Sequence, residues 1–293
     1  MTSAIKSIVI TGASSGIGRA TALRLARNGW RVFAAIRKET DAQVIRDEAN
    51  GGMETLLLDI NDRNSITQAA REVTSRLAGR GLDGLFNNAG IGAVSPVEYT
   101  PLDELREIYE TNLFGQIAMI QAFLPLVRIS KGRIINTGSV GDHLTPPFGG
   151  PLASSKAAFA SMSAALRLEL RPQGIHVCVI EPGSIATPAV EKTLGGVEKT
   201  IGALPSEGVM LYSEGMRRMA RTFAKNEHLG SPPEAVAEVV ERALTERNPR
   251  TRYPAGKDSI KLMMLARFLP EKVMDLAILK TFGVQTAFDR PAR

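Results

Sequence analysis

The sequence predicts an α/β protein with a doubly wound parallel sheet in a single domain, and three observations lead there. Six short apolar runs alternate with longer helical patterns, a glycine-rich turn joins the first run to the first helix, and 293 residues suffice to bury one large core without staples. The apolar runs fall at 5–11, 31–36, 54–59, 84–87, 133–138 and 176–181 and are expected as buried strands. Between them, 16–28, 41–49, 65–78, 102–127 and 152–171 carry apolar residues three and four apart, the spacing of one helix face. Such alternation implies a parallel sheet covered on both faces by helices that cross over right-handed.

The pattern changes after Pro182. Residues 183–230 are rich in Gly, Pro, Ser and Met, show no clear strand and are expected to form a mobile lid over a substrate. A helix follows over 232–247, with Ser231 as its cap and Pro232 in its first turn. The helical extension 255–293 contains two short amphipathic helices over 259–282, joined at Pro270. Its Met263, Met264, Leu265, Phe268 and Leu269 offer an adaptable apolar surface for the domain itself, a second subunit or a membrane surface. The whole of 1–293 reads as one domain with no internal repeat.

Composition excludes several functions. The single Cys178 can form neither an internal disulfide nor a zinc site, and the start lacks an apolar signal core, so a cytoplasmic protein is expected. The formal charge of +6 is spread along the chain without a basic run, which points to an anionic cofactor or substrate and not to nucleic acid. No window is read as a membrane span, since Arg267, Pro270, Glu271 and Lys272 interrupt the most apolar stretch. The carboxylates show no ligand-like spacing, so no metal is expected.

The turn Thr11-Gly12-Ala13-Ser14-Ser15-Gly16-Ile17-Gly18 stands where unpaired backbone N–H groups and the helix dipole favour a pyrophosphate. Glycines at 12, 16 and 18 permit a tight turn, close approach of the backbone to phosphate and close packing of helix on strand. Gly12, Ser14, Ser15, Gly16, Ile17 and Gly18 are therefore the expected cradle. At the end of the second strand, where an acidic residue would bind a ribose 2′-OH, Ile36 stands instead, followed by Arg37. A guanidinium there offers a planar fork to a 2′-phosphate, which makes NADP (as NADPH) the expected cofactor; the alternative is that Arg37 and Lys38 are solvated loop charges.

The spacing T-G-x-x-x-G-x-G, followed in order by Asn87-Asn88-Ala89-Gly90, Asn112, Ser139, Lys156 and Pro182-Gly183, resembles the short-chain dehydrogenase/reductase family over residues 5 to about 190. The resemblance implies a Rossmann fold and hydride transfer between a nicotinamide and a carbonyl or alcohol. It implies that Asp59 contacts the adenine, that Asn87, Ala89 and Gly90 line the nucleotide, and that Lys156, Pro182, Gly183 and Thr187 belong to the cofactor site. It also implies a homodimer or homotetramer formed through the long fourth and fifth helices. The stretch Arg252-Tyr253-Pro254 is similar to the family's hydroxysteroid branch.

The family places a tyrosine four residues before its lysine, on the same helix face, so that the ammonium lowers the phenol's pKa. Here that position is Leu152, with Ser139 at the expected interval of thirteen residues before it. None of the tyrosines at 99, 109, 212 and 253 falls on that face. Losing a positioned general acid costs on the order of 10²- to 10⁴-fold in rate, so ordinary alcohol chemistry is expected to be crippled. Hydride transfer to an activated acceptor such as an iminium or enone, with its proton from another side chain, water or the substrate, depends less on that phenol. His143, four residues after Ser139, titrates in a suitable range or simply hydrogen-bonds the backbone. Tyr212 and Lys156 itself are further candidates, Ser139 either polarises the substrate oxygen or caps the strand, and Asn112 either orders a water near the lysine, as the resemblance implies, or is a buried amide bonded to the backbone. The catalytic set is thus Asn112, Ser139, Lys156 and His143. The expected function is an NADP-dependent oxidoreductase acting on a hydrophobic carbonyl, enone or alcohol with an atypical proton donor. Two alternatives are a non-redox enzyme on the same scaffold (an isomerase, cyclase or lyase) and a catalytically silent NADP-binding protein.

Overall fold

A computed structural model describes residues 5–49 and 52–284; the remainder of the 255–293 extension lies outside the described residues. One parallel sheet in the order β3-β2-β1-β4-β5-β6-β7 forms the centre. Its strands are β1 (Ser7–Thr11), β2 (Arg31–Ile36), β3 (Met53–Leu57), β4 (Gly84–Asn87), β5 (Arg133–Thr137), β6 (His176–Pro182) and β7 (Arg252–Ala255). The first six match the expected runs, as buried parallel strands read from near-continuous apolar sequence should.

Successive strand residues face opposite sides, and the two halves of the core divide accordingly. Ile8, Ile10, Val32, Ala34 and Ile36 point to one side with α1 (Gly16–Arg27) and α2 (Glu39–Glu48). Val9, Phe33 and Ala35 point to the other, with α3 (Arg63–Leu77) and the stretch formed by α4 (Leu102–Tyr109), a π turn (Glu110–Phe114) and α5 (Gly115–Ser130). That stretch corrects one expectation: Leu102–Ser130 is long and apolar enough to cross a membrane by length and composition. Here its Met119, Ile120, Phe123, Leu126 and Val127 are core residues. The helix α6 (Gly150–Leu170) covers the same face through Phe159 and Leu170.

One segment gains detail and one further expectation is corrected. The 183–230 segment is largely helical, as α7 (Pro188–Leu194), α8 (Val197–Ala203) and α9 (Ser206–His228). Glycines in α9 are not breaks but points of close approach: a Cβ on Gly208 would lie 2.9 Å from Tyr99 Cε2, and one on Gly215 would lie 3.2 Å from Phe148 Cζ. The helix buries Met216 and Met219 against Val94, Val197 and Ile201, a third apolar cluster beside the strand ends. The sheet also has a seventh strand where six were expected. Among the described residues β7 pairs with β6 alone, and as an edge strand it tolerates Pro254.

The helix α10 (Pro233–Thr245) packs behind α1, with Pro232 as its N-cap residue. Ser231 is not its cap; the Ser231 Oγ accepts from the Lys257 N–H (2.9 Å). The two short helices joined at Pro270 are present as α11 (Ser259–Phe268) and α12 (Glu271–Phe282).

Candidate active site

The strand order reverses direction between β1 and β4, and in an open parallel sheet the crevice at that switch point is where ligands bind. The loops after these two strands meet there. Thr11 Oγ1 accepts from the N–H groups of Asn88 (2.9 Å) and Ala89 (3.0 Å), and Asn88 Nδ2 donates to the Thr11 carbonyl (3.1 Å). Gly12 and Gly16 have φ of 65° and 54°, a region closed to most side chains. A Cβ on Gly12 would sit 2.9 Å from Ala89 Cα, and one on Gly18 would collide with the Gly12 carbonyl.

Ser15 caps α1 without a side-chain cap bond, which leaves first-turn N–H groups available to an anion. The cradle therefore fits a diphosphate. Thr187 stands at its rim, since a Cβ on Gly16 would lie 3.3 Å from the Thr187 side chain. Arg37 is exposed just beyond β2, and the exposed Asp59 follows β3 with Oδ1 accepting from the Asn61 N–H (2.9 Å).

Asn87 and Asn88 divide differently from the motif reading. Asn87 is buried and its Nδ2 donates to Asn136 Oδ1 (2.9 Å), so its side chain belongs to the core below the crevice. Asn88, not singled out in sequence, is the residue that ties the two loops together.

A second group forms at the inner end of the crevice. The π turn carries Asn112, wholly buried, whose Oδ1 accepts from the Ile91 N–H (2.9 Å) while Nδ2 donates to the Ile91 carbonyl (2.8 Å) and Ser155 Oγ (2.9 Å). This is the buried-amide alternative, and it fixes the loop after β4. A Cβ on Gly90 would meet Asn112 Oδ1 at 3.2 Å and Lys156 Nζ at 3.5 Å, so the three residues converge. Lys156 is buried and donates to the Thr137 carbonyl (2.8 Å). One turn earlier Leu152 faces Gly92, where a Cβ would lie 3.1 Å from Leu152 Cδ2 and 3.2 Å from Thr193 Oγ1 of α7.

Ser139 Oγ accepts from the Gly141 N–H (2.9 Å), and the Ser139 N–H donates to Asp142 Oδ2 (3.3 Å), closing a capping box. Among the described residues the Ser139 hydroxyl has no acceptor. His143, on the same turn, is engaged elsewhere: its Nε2 meets Glu181 Oε1 (3.0 Å), which also pairs with Arg252. Burial pushes Lys156 down to about 8 against the opposing charge of Asp142, and burial pushes Asp142 up to about 6 against the opposing charge of Lys156. Burial also pushes the Cys178 thiol up to about 11, leaving it without nucleophilic character. Among the described residues no cluster of three His, Cys, Asp or Glu side chains is placed to hold a metal.

The segment after β6 is held by two acids that no sequence pattern marks. A Cβ on Gly183 would collide with the carboxylate of Asp258, whose oxygens accept from the Ser184 N–H (3.0 Å) and Oγ–H (2.7 Å). Glu227 Oε2 accepts from the Ile185 N–H (2.8 Å), and burial raises this carboxyl to about 7. Because the folded form holds its proton more tightly than the unfolded chain, stability falls as pH rises from 4.5 to about 7. Relative to wild type, Glu227→Gln, which keeps the acceptor for Ile185, is expected to flatten urea stability between acidic and slightly alkaline pH by up to about 3 kcal/mol. An identical pH dependence in the two proteins would refute this.

Comparison with known proteins places the chain among characterised folds. A family model described as short chain dehydrogenase matches residues 6–196. Retinol dehydrogenase 5 of Mus musculus is 34% identical over 277 residues, covering 92% of this chain and 87% of that protein. The NADPH-dependent 3-dehydrocapnine reductase of Ornithobacterium rhinotracheale is 31% identical over 272 residues, covering 91% and 94%. A short-chain dehydrogenase from Streptomyces avermitilis superposes with a TM-score of 0.73 at 25% identity, over 98% of this chain and all of that one.

Proposed function

The chain belongs to the short-chain dehydrogenase family and is an oxidoreductase of that type, and from that premise we propose that it is NADP-dependent, acts on a hydrophobic carbonyl, enone or alcohol, and takes its proton from a group other than a phenol. The observation that carries this reading is the meeting of Gly90, Asn112 and Lys156 at the inner end of the glycine cradle, with an aliphatic side chain at the position one turn before the lysine.

In this reading Gly12, Ser14, Ser15, Gly16, Ile17 and Gly18 hold the diphosphate, Arg37 the 2′-phosphate and Asp59 the adenine. Ala89 and Gly90 line the nucleotide from the β4 side, and Pro182, Gly183 and Thr187 close the nicotinamide end. When bound, the cofactor supplies the hydride. Lys156 holds the ribose and bears a proton, Ser139 directs its hydroxyl at the substrate oxygen, and Asn112 keeps the β4 loop in place. Leu152 and the apolar cluster of Val94, Met216 and Met219 support a hydrophobic substrate, in keeping with a relative named for retinol. The preference for NADP is in keeping with a relative named as NADPH-dependent. We place the working enzyme in the cytoplasm as a homodimer or homotetramer, with exposed Phe114, Met162 and Leu168 as interface candidates.

Arg37→Ala tests the cofactor assignment. Losing a charge-assisted contact to phosphate is expected to weaken NADPH binding roughly 10- to 100-fold and leave NADH binding unchanged. Equal effects on both coenzymes would overturn the assignment. Failure of every aldehyde, ketone, enone and imine in a broad panel to oxidise tightly bound NADPH would overturn the proposed redox reaction.

A further inference from the structure

The end of β5 carries two opposite charges on neighbouring backbone groups. Lys156 Nζ donates to the carbonyl of Thr137 (2.8 Å), and Asp142 Oδ2 accepts from the N–H of Ser139 (3.3 Å), on either side of Gly138. Gly138 makes room for the carboxylate, since a Cβ there would stand 2.8 Å from Asp142 Oδ2. Asp142 Oδ1 is buried and has no hydrogen-bond partner among the described residues. A buried carboxylate in that condition is costly unless a cation balances it.

The charged groups facing Asp142 are Lys156 from α6, Glu181 from β6 and His143 on its own turn. Glu181 is already paired with Arg252 and in contact with His143. From α11, which packs on the same turn, Asp258 is committed to Ser184. Lys156 is thus the facing cation whose charge no carboxylate contacts directly among the described residues.

We propose that Asp142 is the counter-ion of Lys156, a positioning residue that keeps on the ammonium the proton delivered to the substrate oxygen, at a site where Leu152 has none to give. The inference rests on the oxidoreductase reading above. As the carbonyl carbon receives hydride from the reduced dinucleotide, the carbonyl π pair forms an O–H bond with a proton of Lys156. The N–H bond pair stays on nitrogen as a neutral amine, and water returns a proton to it, favoured by the Asp142 charge. Burial and the carboxylate act on the lysine in opposite directions, and Asp142 is the opposing influence that keeps Lys156 from falling further.

The test is competitive labelling of lysines with trace acetic anhydride across neutral and alkaline pH, with the Lys156 peptide read by mass spectrometry in free and NADPH-saturated protein. Asp142→Asn keeps an acceptor for the Ser139 N–H and is expected to lower the Lys156 titration by about one unit or more, with Asp142→Glu restoring most of it. A folded Asp142→Asn protein whose Lys156 curve superimposes on wild type overturns the proposal. The reciprocal arm uses Lys156→Met and carbon NMR of the Asp142 carboxyl, which is expected to titrate higher in the variant than in wild type because the cation that lowers it is gone. An unmoved carboxyl also overturns it, whether or not the Asn variant folds. NADPH binding is measured on the wild-type protein alongside the titrations, so that the two readings fail separately. Absent binding removes the oxidoreductase reading while the titrations still decide the pair, and intact binding with unmoved titrations removes the pair alone.

Discussion

Replacing Leu152 with tyrosine is expected to raise NADPH-dependent reduction of hydrophobic ketones by about 10²- to 10⁴-fold, the range attached to a positioned general acid. Position 152 lies one helical turn before Lys156 on the same face of α6, so a phenol there sits beside an ammonium that lowers its pKa. Leu152 faces Gly92 beside Thr193 of α7, so the ring is expected to lie against that glycine. Leu152→Phe supplies the same bulk without the hydroxyl and is expected to give no gain. Steady-state kinetics of the two variants separate acid from volume. Equal turnover in wild type and Leu152→Tyr, with NADPH binding retained, would mean that no carbonyl is presented at that point of the pocket.

Gly18→Ala is expected to weaken NADPH binding by about two orders of magnitude, corresponding to the ~3 kcal/mol that a forced backbone shift can cost. The added Cβ meets the carbonyl of Gly12, a backbone atom that cannot move aside as a flexible side chain would, and the Asn88 amide that bridges the loops also lies against it. Relief requires opening the turn that aims the N–H groups of α1. Gly202→Ala is the matched control, since a Cβ there meets nothing within 4 Å. Fluorescence titration of NADPH against both variants reads the difference, and equal affinities would show that the turn does not carry the diphosphate.

These two positions were legible because both depend on local spacing. The interval from Gly12 to Gly18 encodes a tight turn into a helix, and the four residues from Leu152 to Lys156 encode a shared helix face, so each could be read without knowing the rest of the fold. The features that escaped depend on contacts between distant elements. The Gly-, Pro-, Ser- and Met-rich composition of 183–230 hid α9, whose Gly208 and Gly215 are where the helix closes onto Tyr99 and Phe148. β7 carries Pro254, acceptable there because among the described residues one side of the strand has no neighbour. Asn87 and Asn88 are adjacent in sequence, but consecutive residues leaving a strand point to opposite faces, and only the fold shows that the second one bridges the loops. Asp142 carried no motif at all. Its relation to Lys156 arises because the end of β5 brings the capping turn and α6 to one point.

The central claim is that the crevice between β1 and β4 binds a nicotinamide dinucleotide, with Arg37 selecting the phosphorylated form. Isothermal titration of the wild-type protein with NADPH and NADH tests it most directly. The account predicts saturable heat at one site per chain for NADPH and markedly weaker binding of NADH. The absence of heat from both coenzymes, with the protein folded, would contradict it.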